Sequence, residues 1–156
     1  MSTASSFRIA EEIGQFMSNL FGLKVHAHCV TNGSFDPLAA VATYVDGSDF
    51  IRGQIACDHR CAAILGAALT QIPMSVVEDS IEKGELNGNL KANAHEVFNI
   101  AVNLFSYQQS SRVVLREVGF EQNARLPDSK RYPKYDDFCI SVDRYGEGLL
   151  RMIHCV

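Results

Sequence analysis

Two segments of the chain resemble each other and divide it into similar halves. Residues 12–21 (EIGQFMSNLF) align without gaps on residues 96–105 (EVFNIAVNLF), and four of the ten positions are identical. A second match lies near the end of each half, where residues 55–57 (IAC) correspond to residues 153–155 (IHC). A repeated sequence indicates a repeated structural unit. We therefore predict a duplicated fold with a pseudo-two-fold axis, one continuous sheet and helices packed on it.

Each half is predicted to contain a helix followed by three strands. Apolar residues with helical spacing or strict alternation mark the elements, and glycine, proline, asparagine and aspartate mark the turns between them. The first half is expected to have a helix over 7–21 and strands over 24–30, 39–45 and 50–57. The second is expected to have a helix over 90–106, strands over 112–118, 137–142 and 149–155, and a long mobile loop over 121–136. Two further helices, over 58–69 and from Pro73 to Gly84, separate the halves.

Length and charge limit what this chain can do. Its 156 residues, 47% of them hydrophobic, suit one α+β domain over 1–156 that buries its own core. The net charge of −4 argues against nucleic acid as a partner, because phosphate binding needs a basic face. The sequence begins without a secretory signal and contains no apolar stretch of about 20 residues. We expect a cytoplasmic protein that is not bound to a membrane.

The cysteines are expected to be reduced and to bind no metal. There are five of them, an odd number in a chain long enough to fold without disulfides. Cys57 and Cys61 flank a histidine, but no second ligand pair occurs at zinc spacing. Asp58 is better explained as the N-cap of the following helix.

The helix that opens the second half carries a stripe of polar residues. Glu96, Asn99 and Asn103 fall on one side of a helix whose other positions are largely apolar. One interpretation is a stripe that merely faces solvent; the other is a site that faces a reactive group on a partner. The first helix offers a parallel pair, Glu12 and Gln15, at the same spacing.

These features resemble the chemotaxis phosphatases of the CheC/CheX family over nearly the whole chain. The resemblance rests on the duplicated helix–three-strand unit and on Glu96-x-x-Asn99 at the position of the family's active helix. It also rests on the passage from residues 53–57 (GQIAC) into residues 62–69 (AAILGAAL). The resemblance implies a protein that removes phosphate from the aspartyl phosphate of a response-regulator receiver domain.

The resemblance also assigns roles to residues. Asn99 would orient the attacking water, since an amide both donates and accepts hydrogen bonds and does not titrate. Glu96 would pair with the lysine of the receiver and dock the helix. The chain itself would need no cofactor, because the phosphorylated receiver would supply the divalent metal ion. Glu12 and Gln15 would form a second site or, as we prefer, a degenerate copy.

Some positions depart from the family pattern and keep other hypotheses open. Ala92 stands four residues before the glutamate, where the family has an acidic or hydroxyl residue, Pro127 comes later than expected, and residues 101–103 lack a glycine. A non-catalytic binding or assembly module of the same fold is therefore the alternative function. A small-molecule binder near Gly66 is a third possibility without specific support. The last strand, over 149–155, is expected to be a sheet edge that could pair with a second copy in a homodimer.

Overall fold

The computed structural model describes residues 4–106, 112–126 and 134–155. The helices are α1 (Ala4–Phe21), α2 (His59–Leu69), α3 (Met74–Lys83), α4 (Gly88–Ile100) and α5 (Asn103–Ser106). The strands are β1 (Val25–Val30), β2 (Leu38–Val45), β3 (Ile51–Asp58), β4 (Val114–Phe120), β5 (Tyr135–Val142) and β6 (Gly146–His154). A 3₁₀ turn at Glu121–Asn123 follows β4. No helix in this described part of the chain is long and apolar enough to cross a membrane.

The six strands found in the described ranges form one antiparallel sheet, in the order β1-β5-β6-β3-β2-β4. The counterparts in the two halves are β1 and β4, β2 and β5, and β3 and β6. Replacing each strand by its counterpart gives the same order read in reverse. The central register agrees, because Ile55 pairs with Met152 while Gln54 pairs with Ile153. A two-fold axis between β3 and β6 gives this register if Ile55 and Ile153 are equivalent, as the sequence alignment has them. The predicted α+β fold with a duplicated unit and a continuous sheet is confirmed.

The helices pack on one face of the sheet. Helix α2 lies at the centre against β6, β3 and β2, α1 lies over β1, and α4 packs on α2 and reaches β4. Helix α2 begins as predicted, because the Asp58 carboxylate accepts a hydrogen bond from Cys61 N–H at 2.8 Å. Gly66 of α2 touches α4 so closely that a Cβ there would lie 2.5 Å from the Leu90 carbonyl oxygen. This packing leaves no room for a ligand between α2 and α4 at Gly66.

The prediction that the last strand is a sheet edge is wrong. Strand β6 lies between β5 and β3, so both of its sides already carry ladder hydrogen bonds. The edge strands are β1 and β4. Residues 149–155 therefore cannot pair with a second copy of the chain, and the homodimer predicted through this strand does not follow.

The predicted helix over 90–106 is also wrong at its end. Helix α4 stops at Ile100, and a separate short helix starts at Asn103. Other boundaries shift by a few residues: α1 begins at Ala4, β4 is Val114–Phe120, and β5 begins at Tyr135, inside the predicted loop. Pro127 and the basic residues Lys130 and Arg131 of that loop lie outside the described residues.

Candidate functional site

Helix α4 presents one face to the core and the opposite face to solvent. The Asn87 side chain caps its first turn by accepting a hydrogen bond from Leu90 N–H at 2.8 Å. The side chains that turn inward are apolar and buried, namely Leu90, Ala94, Val97 and Phe98. Their spacing of three and four residues leaves the polar positions on the outside.

Glu96 and Asn99 lie together on this outer face. Both side chains are exposed, and as residues one turn apart their Cβ atoms are separated by about 5–6 Å. Neither side chain forms a hydrogen bond or an ion pair within the described parts of the chain. A carboxylate and an amide are thus both available to a molecule that docks on α4.

Asn103 is not part of the same helix. Leu104 N–H donates to the Ala101 carbonyl and Phe105 N–H to the Val102 carbonyl, at 2.9 and 3.0 Å. These bonds span three residues instead of four, so the chain winds more tightly beyond Ile100 than in α4. The stripe predicted from Glu96 to Asn103 therefore consists of Glu96 and Asn99 on α4, with Asn103 on α5.

Two polar side chains attach α4 to the rest of the protein close to this pair. On the N-terminal side, Asn93 Nδ2 donates to the Gly66 carbonyl at 2.9 Å and contacts Thr70 Oγ1 at 2.8 Å. Between the two residues of the pair, the Phe98 carbonyl accepts a hydrogen bond from the Tyr44 hydroxyl of β2 at 2.6 Å. The exposed pair therefore sits on a turn that is held by both α2 and the sheet.

The equivalent residues on α1 have partners within the chain. Gln15 Nε2 donates to Asn19 Oδ1 at 3.3 Å, and Glu12 also has a partner. Both residues line an open depression of about 600 Å³ on the outer face of α1, together with Arg8, Glu11, Phe16 and Asn19. Arg8 occupies the position that Ala92 has on α4, so the two copies differ in charge as well as in their amide.

Two buried clusters, one around His59 and one around Cys57, are poorly arranged for catalysis. Ser80 Oγ donates to the Glu85 carbonyl at 2.7 Å and must therefore accept from His59 Nε2 at 2.9 Å. A histidine that donates to a serine cannot act as its base. The thiol sulfurs of Cys57 and Cys61 lie 3.5 Å apart in the core; this contact and burial raise the pKa of Cys61, so its thiol stays protonated. No group of three or more potential metal ligands occurs in the described ranges.

Comparison with solved structures identifies this arrangement of helices and strands. No family model and no curated protein sequence matches the chain. A chain in the crystal structure of the CheX–CheY–BeF3–Mg complex from Borrelia burgdorferi superposes with a TM-score of 0.63 at 10% identity, covering 96% of this chain and 97% of that one. CheX from Vibrio vulnificus gives 0.57 at 9% identity, with 97% and 96% covered. The FliM middle domain from H. pylori gives 0.58 at 11% identity, with 96% and 86% covered.

The chain has the CheC/CheX/FliM fold. This fold is shared by proteins with different roles, so it shows the architecture and leaves the activity to be argued from residues. In the CheC/CheX/FliM fold of this chain, the predicted pair Glu96 and Asn99 lies on an exposed helix of the second repeat, as the sequence indicated. Glu12 and Gln15 lie on the equivalent helix of the first repeat, on the far side of α2.

Sequence reasoning missed Tyr44, which lies in a strand with the pattern of ordinary core. Its hydroxyl is the signal that could have drawn attention, because a tyrosine flanked by alanine, threonine and valine must find a hydrogen-bond partner when it is buried. It also missed Asn93, which lies one turn before Glu96 and could have been taken for another solvated polar residue. Neither partner can be identified from spacing, since Tyr44 and Phe98 are 54 residues apart.

Proposed function

We propose that this protein accelerates hydrolysis of the aspartyl phosphate on a response-regulator receiver domain, with Asn99 and Glu96 as its site. The observation that carries the proposal is the exposed carboxylate–amide pair on α4, which has no partner within the described residues while its counterpart on α1 does. The CheC/CheX/FliM fold supports it, because one protein with this fold was crystallised with CheY, BeF3 and Mg.

For this reaction the chain would need to supply few groups of its own. An aspartyl phosphate is an activated acyl phosphate, and the receiver would supply the divalent metal ion and a lysine. What remains is to hold a water in line with phosphorus, a task of positioning and electrostatics. Asn99 performs this by donating to and accepting from the water, while Glu96 pairs with the receiver lysine. The reaction takes place where receivers are phosphorylated, so we place the protein in the cytoplasm.

A second candidate is a non-catalytic binding or assembly module. Two observations favour it: Ala92 stands where the resemblance leads us to expect an acidic or hydroxyl residue, and the FliM middle domain has the same fold. In this case the exposed face of α4 would still bind a partner protein, but no water would be activated. Binding and catalysis must therefore be measured separately.

The test measures the lifetime of the phosphoryl group on purified receivers from the same organism, with and without the protein. We expect the wild type to shorten it and Asn99→Ala to reduce the catalysed rate about 100-fold, the scale of loss when a positioning group is removed. Glu96→Ala is expected mainly to raise the receiver concentration needed for half-maximal rate. Asn103→Ala is the matched control, because Asn103 is an exposed asparagine beyond the helix break.

The outcomes separate the two candidates. If wild type and Asn99→Ala leave the lifetime equally unchanged on every receiver, the phosphatase proposal is wrong. If a receiver nevertheless binds, and Glu96→Ala weakens that binding, the module is a binding protein. Equal reductions of the catalysed rate in Asn99→Ala and Asn103→Ala would show that the amide of Asn99 does not hold the attacking water.

A further inference from the structure

Tyr44 connects the core of the sheet to the end of the helix that carries the site. It is fully buried in β2, with its ring centroid 4.8 Å from that of Phe105 and the planes tilted by 41°. Its hydroxyl donates to the carbonyl oxygen of Phe98 at 2.6 Å. Burial, with a smaller contribution from Cys57, raises the pKa of Tyr44 well above its ordinary value. The hydroxyl therefore keeps its proton and remains a donor at any physiological pH.

The bonded carbonyl belongs to the peptide group that joins Phe98 to Asn99. A peptide group is planar, so fixing the direction of its carbonyl also fixes its N–H and the bond to the next Cα. The next Cα is that of Asn99. The Tyr44 hydroxyl thus acts on the same peptide plane as the backbone atom that carries the proposed water-holding side chain.

This attachment matters because α4 ends immediately afterwards. Asn99 is the second-last residue of α4, and the following segment forms bonds that span three residues. Terminal turns of helices fray more readily than interior turns because they have fewer hydrogen bonds. Without the Tyr44 hydroxyl, the turn that carries Asn99 would keep its helical hydrogen bonds and the packing of Val97 and Phe98, but would lose its hydrogen bond to the sheet.

The ring of Tyr44 packs against Phe105, and a glycine leaves space for that phenylalanine. Phe105 of α5 packs against the tyrosine ring, and Gly53 of β3 lies directly beneath Phe105, so that any Cβ at this position would collide with the phenylalanine ring. Gly53, Phe105 and Tyr44 therefore form a stack that starts in the sheet and ends at the Phe98 carbonyl.

We propose that the Tyr44 hydroxyl is a positioning group for Asn99: by holding the Phe98 carbonyl it fixes the orientation in which Asn99 presents its amide to the receiver. Tyr44 itself is buried and touches no substrate. This inference rests on the proposed function. It goes beyond it by assigning the geometry of the site to a residue in the opposite half of the chain.

The test compares Tyr44→Phe with Tyr145→Phe in the full chain. Tyr145 is a matched control, because it is also buried and its hydroxyl donates to a backbone carbonyl, that of Ile72, at 2.7 Å. Each variant loses one hydroxyl and one such bond, but only the Tyr44 hydroxyl bonds to α4. For receiver dephosphorylation we expect Tyr44→Phe to lower kcat about 10-fold with KM changed less than about twofold, and Tyr145→Phe to change neither.

A second readout keeps the two proposals separate. In the free protein, we expect Tyr44→Phe to shift the NMR resonances of the Asn99 side-chain amide and to speed hydrogen exchange in the last turn of α4, whereas Tyr145→Phe does neither. If the wild type dephosphorylates no receiver, the phosphatase proposal fails, but this readout still decides whether Tyr44 positions Asn99. Unchanged resonances and unchanged kcat in Tyr44→Phe would overturn the inference.

If Tyr44→Phe does not fold, Phe105→Leu provides the same test. This variant keeps the hydroxyl but removes the ring against which Tyr44 packs. We expect a smaller fall in kcat and a smaller shift of the Asn99 amide resonances, again with KM nearly unchanged. A folded Phe105→Leu protein with wild-type kcat and resonances would contradict the inference.

Discussion

His59 illustrates how a single buried side chain connects stability to pH. It lies in the first turn of α2, and its Nε2–H donates to Ser80, whose own hydroxyl donates to the Glu85 carbonyl. These bonds join the start of α2 to the end of α3. Burial lowers the pKa of His59, although the negative charges of Glu121 and Asp58 and the bond to Ser80 act in the opposite direction.

We predict that His59 makes the protein less stable in mild acid. Because the pKa is lowered in the folded state, the unfolded chain binds the proton more readily. The contribution of neutral His59 to the free energy of unfolding is complete above the pKa of about 6.5 in the unfolded chain. It is lost as the pH falls towards the lowered pKa of the folded state. Urea unfolding of the wild type should give a free energy of unfolding that falls from about pH 7.5 to about pH 5, and His59→Gln should show a weaker dependence. Identical slopes would show that His59 is not responsible.

At the scale of elements, the contact between α2 and α4 determines where the site lies. Gly66 lets the backbone of Leu90 approach α2 closely. Three residues further along α4, the Asn93 side chain donates a hydrogen bond to the carbonyl of Gly66 itself. An alanine at position 66 must displace α4 or strain α2, because its Cβ would lie 2.5 Å from an oxygen atom. The position of Glu96 and Asn99 therefore depends on the absence of a methyl group on α2.

We predict that Gly66→Ala destabilises the protein by about 1–3 kcal/mol, the usual cost of overpacking, although alanine has the better helix propensity by about 1 kcal/mol. Gly88→Ala is the control, since Gly88 lies in the first turn of α4 and a Cβ at this position would have no atom within 4 Å. It should be neutral or stabilising by up to about 1 kcal/mol. Chemical denaturation measures both, and equal effects would contradict close packing at Gly66.

The elements show which parts of this fold follow from local sequence. Helix α1 and the hairpin of β2 and β3 can be predicted within a few residues, because apolar periodicity and turn residues are local signals. The end of α4 cannot, since residues 94–105 keep a helical apolar pattern through the break. The contacts on either side of the break involve Tyr44 and Gly53, which are distant in sequence from α4. The exposed pair Glu96 and Asn99 is predictable because its spacing is local, whereas its attachment is not.

At the scale of the whole molecule, the two repeats are interleaved. Among the described residues, strand β1 of the first half pairs with β5 of the second and with no other strand, and β4 of the second half pairs only with β2 of the first. This pairing of each edge strand with a strand of the other half explains why β6 lies in the centre of the sheet. Four of the five residues in its run Leu149-Leu150-Arg151-Met152-Ile153 are apolar, and Leu150, Met152 and Ile153 are buried. This pattern indicates a central strand, whereas the position at the end of the chain suggests an edge.

Side-chain contacts also connect the two halves of the chain. The Ser6 hydroxyl at the start of α1 donates to Asp136 at 2.7 Å, and Gly33 N–H donates to the Asp137 carboxylate at 2.9 Å. Asp137 in turn forms a two-point ion pair with Arg151, at 2.6 and 2.9 Å. Helix α1 and the connection after β1 are thus attached to strands of the other half.

We predict that neither half folds alone and that the two halves fold together. In a fragment of residues 1–86, β1 has no partner strand and α1 loses β5; in residues 87–156, β4 has no partner strand. A cut after Leu86 keeps the Ser80–Glu85 bond in one fragment and the Asn87 cap in the other. Each fragment should give an NMR spectrum without dispersion, and an equimolar mixture should recover the dispersion of the intact protein. A fragment 1–86 that unfolds cooperatively on its own would mean that β1 pairs elsewhere, and the interleaved sheet would then not be what holds the repeats together.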